Sequence, residues 1–144
     1  MTDPRFFPLS GYEQTALPFL GRAYKNVPGA GKSIVTQADV AAISLKVQRF
    51  NRVNGAWGGL TTTVNGLAIP VITSVFNLLQ TDSSWNTDAI GYNFAHTIPA
   101  TAFPGLGDYV AVYSFTPAGT NFSIFPLILK PITILSMQGT LVEG

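Results

Sequence analysis

Gly31, Lys32 and Ser33 stand in the order that closes a phosphate-binding loop, inside NVPGAGKS at 26–33, and no other stretch invites a chemical reading so directly. Such a loop needs a buried strand before it and a helix after it, so that backbone N–H groups face the phosphates. Asn26 occupies the place of the first required glycine. Further along, Ile43, Leu45 and Val47 alternate with Ser44, Lys46 and Gln48, which is a strand pattern. The stretch therefore reads as a flexible glycine-rich hinge and not as a nucleotide site.

His96 is the one histidine, and it sits between Ala95 and Thr97 in the middle of a strand-like run. A Ser-His-Asp arrangement would have to recruit Asp88 or Asp108 and a serine, yet no Gly-x-Ser-x-Gly elbow is present. One histidine without any cysteine makes neither a thiolate nor a histidine-rich metal site, and the lack of cysteine also excludes disulfides and a cysteine nucleophile. Asp82, Asp88 and Asp108 can converge with loop carbonyls on calcium, but their spacing matches no calcium loop, and turns use Asp to bond nearby backbone. Trp57, Trp85, Tyr92, Tyr109 and Tyr113 are able to stack on sugar rings. A sandwich core of this size needs several large residues, so most of these read as core, with Trp85 as a plug and Trp57 as a lid or an exposed contact. A carbohydrate-binding β-sandwich module is the alternative function that they support. No catalytic residue, cofactor or small-molecule substrate is expected.

The elements that must position these groups centre on residues 91–115. There Tyr92, Phe94, His96 and Ile98 alternate with Asn93, Ala95 and Thr97, and Tyr109, Ala111, Tyr113 and Phe115 alternate with Val110, Val112 and Ser114. Two strands sharing one face, joined by a loop that Pro99, Pro104, Gly105 and Gly107 define, is the expectation. Before them come a tight turn at 36–39, a strand over 42–53, a turn at 54–59, a strand over 61–64, a second hairpin turn at Asn65 and Gly66, and a strand over 67–73. Val75, Leu78 and Leu79 at helical spacing, with Ser74 as cap, suggest one or two helical turns over 74–85. Strands over 121–129 and 132–135 complete the set. Seven or eight short strands separated by turn signals, with almost no helix, give an all-β, antiparallel β-sandwich.

In a chain of 144 residues, 47% are apolar and only 10% charged, against about 25% charged in an average soluble protein. Such a surface commonly meets another protein. Residues 1–52 carry a charge balance of +4 and residues 53–144 one of −3, with cations too scattered for a nucleic-acid site. No apolar run reaches the length of a membrane span, and the N-terminus lacks a signal-peptide core, so synthesis in a cytoplasm is expected. Residues 1–35, spaced by Pro4, Pro8, Pro18 and Pro28 but rich in apolar side chains, read as an extended N-terminal arm. Phe6, Phe7, Tyr12, Phe19 and Tyr24 are its candidate contacts with a neighbouring subunit. The domain itself then spans 36–135, and 136–144 form a C-terminal tail.

The run YNFAHTIPATAFPGLGDYVAVYSFTPAGTNFSIFPLILKPI resembles the closing half of small immunoglobulin-like modules of tailed-phage virions. A strand, a P-x-x-x-F corner, a G-x-Y-x-v-x-Y-x-f strand and a final strand recur in them. The likeness covers about residues 90–132 and is carried by hydrophobic spacing with Phe103, Gly107, Tyr109 and Tyr113. It implies an immunoglobulin-like sandwich and a virion structural protein of the capsid surface, tail, baseplate or an adaptor. Its implied partners are other copies of itself and other virion proteins, and the N-terminal arm departs from the module.

Overall fold

The computed structural model describes residues 9–53 and 56–135, the side chains of 51–53, 56–58 and 131 excepted. Its strands are β1 (Leu9–Tyr12), β2 (Leu17–Gly21), β3 (Tyr24–Val27), β4 (Gly31–Ile34), β5 (Val40–Val53) and β6 (Ala56–Ile69). They continue with β7 (Val75–Gln80), β8 (Tyr92–Ile98), β9 (Gly107–Pro117), β10 (Ser123–Ile124) and β11 (Leu127–Leu135). One five-stranded sheet runs β1-β11-β9-β5-β6, and a three-stranded sheet runs β2-β8-β7. A second small sheet, β10-β3-β4, flanks them. All pairings are antiparallel except β1 on β11. The chain is thus an all-β sandwich.

Alternation sets which faces meet. On β9, Tyr109, Ala111, Tyr113 and Phe115 are buried, while Val110, Val112 and Ser114 are half-buried or exposed. On β8, Phe94 and Ile98 are fully buried. The two strands do not share a face of one sheet, as their spacing suggests, because the Ala100–Ala102 turn after Pro99 carries the chain across the core. Their apolar faces instead oppose each other: the Phe94 ring lies 4.8 Å from that of Tyr113 and 5.5 Å from that of Phe115, both edge-on. Edge-to-face contacts of this kind add stabilisation beyond area burial.

The arm is the largest correction. From Leu9 onward, residues 1–35 belong to the domain: β1 closes one edge of the large sheet, and β2 pairs residue by residue with β8, Phe19 opposite His96. Phe19 is 3% exposed and packs against Phe94 and Tyr113, at 6.1 and 5.9 Å between ring centres. Proline interrupts helix but tolerates an edge, and Pro18 stands on edge strand β2. The 26–33 stretch is no hinge either. It is the β3–β4 hairpin, in which Ala30 N–H donates to Val27 O across Pro28 and Gly29, and Gly29 takes φ +85°.

Two further expectations give way. Asn65 and Gly66 do not turn the chain: β6 continues through them, with Gly66 at φ +77° forming a bulge opposite Leu45 and Lys46. The helical turn is Val71–Ser74 and the strand β7 begins directly after it, so the spacing of Val75, Leu78 and Leu79 is not a helical face. By contrast, the turn at 36–39 is present, with Thr36 and Asp39 capping each other.

Asn93, on the supposedly outer face of β8, is fully buried. Its Oδ1 accepts from Ala23 N–H at 2.7 Å, and its Nδ2 donates to Ala23 O at 3.0 Å and to Val35 O at 2.8 Å. Ala23 O also accepts from Val35 N–H. A side-chain amide here completes the backbone pairing that joins the β3–β4 hairpin to β8.

Asn93→Leu should destabilise the domain by several kcal/mol, since each buried polar group left unpaired costs about 1–3 kcal/mol. Phe94→Ala should cost about 3–5 kcal/mol, and Val110→Ser on the half-exposed face should cost far less. Urea denaturation of the three variants checks the order.

Candidate functional site

Three places in the fold carry groups beyond what the core requires. The first is the end of the β5–β6 hairpin. Pairing of β5 with β9 ends at Arg49 opposite Tyr109, but pairing of β5 with β6 continues to Val53 opposite Ala56. The hairpin thus runs past β9 as a two-stranded ribbon, and an isolated two-stranded ribbon is marginal without a further contact. Its base is pinned by Arg49, which donates to Leu106 O and lies 5.8 Å from the Tyr109 ring centre. A Cβ on Gly105 or Gly107 would stand 3.4 or 3.3 Å from that guanidinium, so the two glycines leave it room.

The outer strand of this ribbon, AWGGLTTTVNGLAI, contains no charged residue and no proline over 14 residues. Edge strands are ordinarily guarded by charge, proline or bulges. Here only bulges serve, at Gly66, Thr63 and Gly58, and they leave Gly59–Thr62 in regular register with β5. Thr63 turns its hydroxyl inward to Ala102 O at 2.8 Å, fixing the middle bulge. Leu60 and Leu67 are 47% and 40% exposed along the strand.

The second place is His96 against Tyr113, with Nδ1 and the phenol oxygen 2.8 Å apart. Burial holds the imidazole below its ordinary pKa and pushes the phenol up. The histidine is a half-buried partner of a core tyrosine, and Asp88 is engaged elsewhere, in the third place.

That third place is the loop between β7 and β8. Asp88 accepts from both terminal nitrogens of Arg22 at 3.2 and 3.0 Å, from the Trp85 indole, and from Ile90 and Gly91 N–H. The Arg22 guanidinium holds the Asp88 carboxyl well below the usual range. Asp82 accepts from the Tyr92 hydroxyl at 2.7 Å and from Ser84 N–H. Both carboxylates are spent on the loop itself, and among the described residues no three His, Asp or Glu gather as metal ligands.

Of the predicted contact residues, Phe6 and Phe7 lie outside the described residues, as does the Trp57 side chain. Phe19 is core, Tyr12 is 47% exposed on the β1 edge, and Tyr24 is half-buried, accepting from Arg22 Nε at 2.8 Å. The described members of this set do not share one outward surface. Lys32, the phosphate-loop lysine, lies 4.4 Å from the Tyr24 ring centre on the hairpin. Tyr92, Tyr109 and Tyr113 are buried, and Trp85 is half-buried beside Tyr92 instead of plugging the core. Sequence reasoning misses the ribbon because the Asn65-Gly66 turn signal divides it. The absence of charge over 56–69 is the readable sign.

Comparison with protein-family models, curated proteins and solved structures finds no match.

Because folding lowers the His96 pKa from 6.5, the unfolded chain takes up a proton first as pH falls. Stability is then full above the ordinary histidine value and declines as pH drops through it toward the folded value. The lowered carboxyls of Asp39, Asp82 and Asp88 act separately, below their ordinary 3.8. Urea midpoints should fall between about pH 8 and about pH 5, and His96→Gln should flatten that decline.

Proposed function

We propose that this chain is a structural subunit of a tailed-phage virion, acting through protein–protein assembly and not through catalysis. Capsid surface, tail, baseplate and adaptor positions all fit that reading, and it entails synthesis in the host cytoplasm. The observation that carries the assembly role is the uncharged edge of β6 on a ribbon that outruns its sheet. Unpaired backbone groups on such an edge are a template for another strand. The virion setting rests on the likeness of residues 90–132 to phage modules and on the low charge of the chain.

A second copy of the chain is the partner assigned to this edge. Two identical edges meet antiparallel about a two-fold axis, and a neutral strand presents no like charge to its own copy. Within the described part of the arm, residues 9–35, β1 and β2 pair inside their own domain and do not carry the assembly contact.

Light scattering over a concentration series should show the chain associating, and Leu60→Lys should weaken association about tenfold or more while leaving the thermal midpoint of the monomer nearly unchanged. A chain that stays monomeric to about 1 mM, or a Leu60→Lys variant that associates normally, would exclude this edge as the contact.

A further inference from the structure

The β7–β8 loop holds an indole that the core does not use. Trp85 N–H donates to Asp82 O in a turn, and the Trp85 ring nitrogen donates to both the carbonyl and the carboxylate of Asp88 at 3.1 Å. The ring rests 5.6 Å from that of Tyr92, with the Arg22 guanidinium 5.8 Å from its centre. Gly91 closes the loop at φ +108°, where a Cβ would come within 2.6 Å of Gln80 O. The charged groups around the indole are therefore engaged, and the ring is held in place by the fold alone.

Beside it lies an open surface depression of about 410 Å³ lined by Trp85, Pro18, Leu20, Ser84 and Thr87, most of them exposed. Its lining is mostly apolar with a few polar groups, the make-up of small-molecule sites. Pro18 and Leu20 supply apolar wall and Trp85 an aromatic platform, while Thr87 brings a hydroxyl that both donates and accepts, and the Ser84 hydroxyl, donating to Asp82, keeps its oxygen as an acceptor. No uncompensated charge faces it from Arg22 and Asp88, since each neutralises the other at 3.0 Å.

We propose that this depression is a binding site for a neutral sugar ring, stacked on Trp85 and hydrogen-bonded by Ser84 and Thr87. A pyranose has one C–H-rich face for the indole and a hydroxyl rim for the two side chains. An anionic ligand is disfavoured, because Arg22 is committed to Asp88, Gly91 O and Tyr24. A proline-rich peptide is disfavoured as well, since such ligands dock across successive aromatic grooves, and one aromatic lines this depression. A platform ordered before the ligand arrives spares the entropy of loop ordering. This inference is independent of the β6 edge.

The chain has two tryptophans, so its indole N–H region in proton–nitrogen NMR spectra shows two signals that a Trp57→Phe variant assigns. The full chain is titrated with maltohexaose, cellohexaose, chitohexaose and a β-galactan oligosaccharide, each to about 10 mM, a range that detects affinities at the weak end of the scale. At least one should shift the Trp85 signal saturably, with affinity, read by isothermal titration calorimetry in the variants, reduced about tenfold or more in Trp85→Ala and also in Ser84→Ala/Thr87→Ala, which keeps the indole. Trp57→Phe should bind normally. Failure of all four to move the Trp85 signal, or binding that survives both site variants, overturns the proposal. So does a proline-rich peptide that shifts Trp85 where the sugars do not.

Discussion

The fold depends on one buried amide. Asn93 stands in the interior of β8 and supplies, from its side chain, partners for Ala23 N–H, Ala23 O and Val35 O, beside the single backbone bond from Val35 N–H to Ala23 O. Those two residues flank the β3–β4 hairpin, so the three bonds determine where the hairpin leaves the sandwich. A buried N–H or C=O left unpaired is costly in a low-dielectric interior, and a residue with both donors and an acceptor is needed to satisfy one N–H and two carbonyls. No buried side-chain polar atom among the described residues lacks a partner.

Around that clamp, the packing of the two main sheets follows from aromatic rings meeting across the core. Phe94 from β8, Phe19 from β2, and Tyr113 and Phe115 from β9 form one contiguous group. Two strands near in sequence thereby belong to different sheets, and the N-terminal segment is drawn in to cover the remaining side of Phe94. The same group absorbs His96, whose ring meets Tyr113 edge-on. The domain spends its aromatic residues on cohesion, and its outward chemistry falls to the few side chains left over.

Those leftovers divide by mechanism. The β5–β6 ribbon offers a neutral strand edge whose backbone groups and exposed Leu60 and Leu67 face outward. The Trp85 loop offers an aromatic surface with the charges of Arg22 and Asp88 cancelled, where the proposed sugar would stack. Arg49 and Arg22 play parallel parts: each fixes the base of one feature by bonding a backbone carbonyl, of Leu106 and Gly91 respectively. A cation used in this way is consumed by the fold and lends no charge to a binding surface.

By itself, the sequence determined the all-β class, the strands over 92–98 and 109–115, the buried face of the second, and the 36–39 turn, because alternation and turn chemistry are local and act before any long-range contact forms. Only the tertiary structure decided that residues 9–35 belong to their own domain. An apolar, proline-spaced segment has the same local pattern whether it pairs with β8 and β11 at home or with a neighbour, and the partner strands lie far along the chain. Likewise Asn93 alternates outward by period, and only the arrival of Ala23 and Val35 above it turns that outer face into an interior. Gly66 has the dipeptide context of a hairpin turn, yet pairing of β6 with β5 from Ile43 to Val53 was stronger than the local turn preference and left the glycine as a bulge.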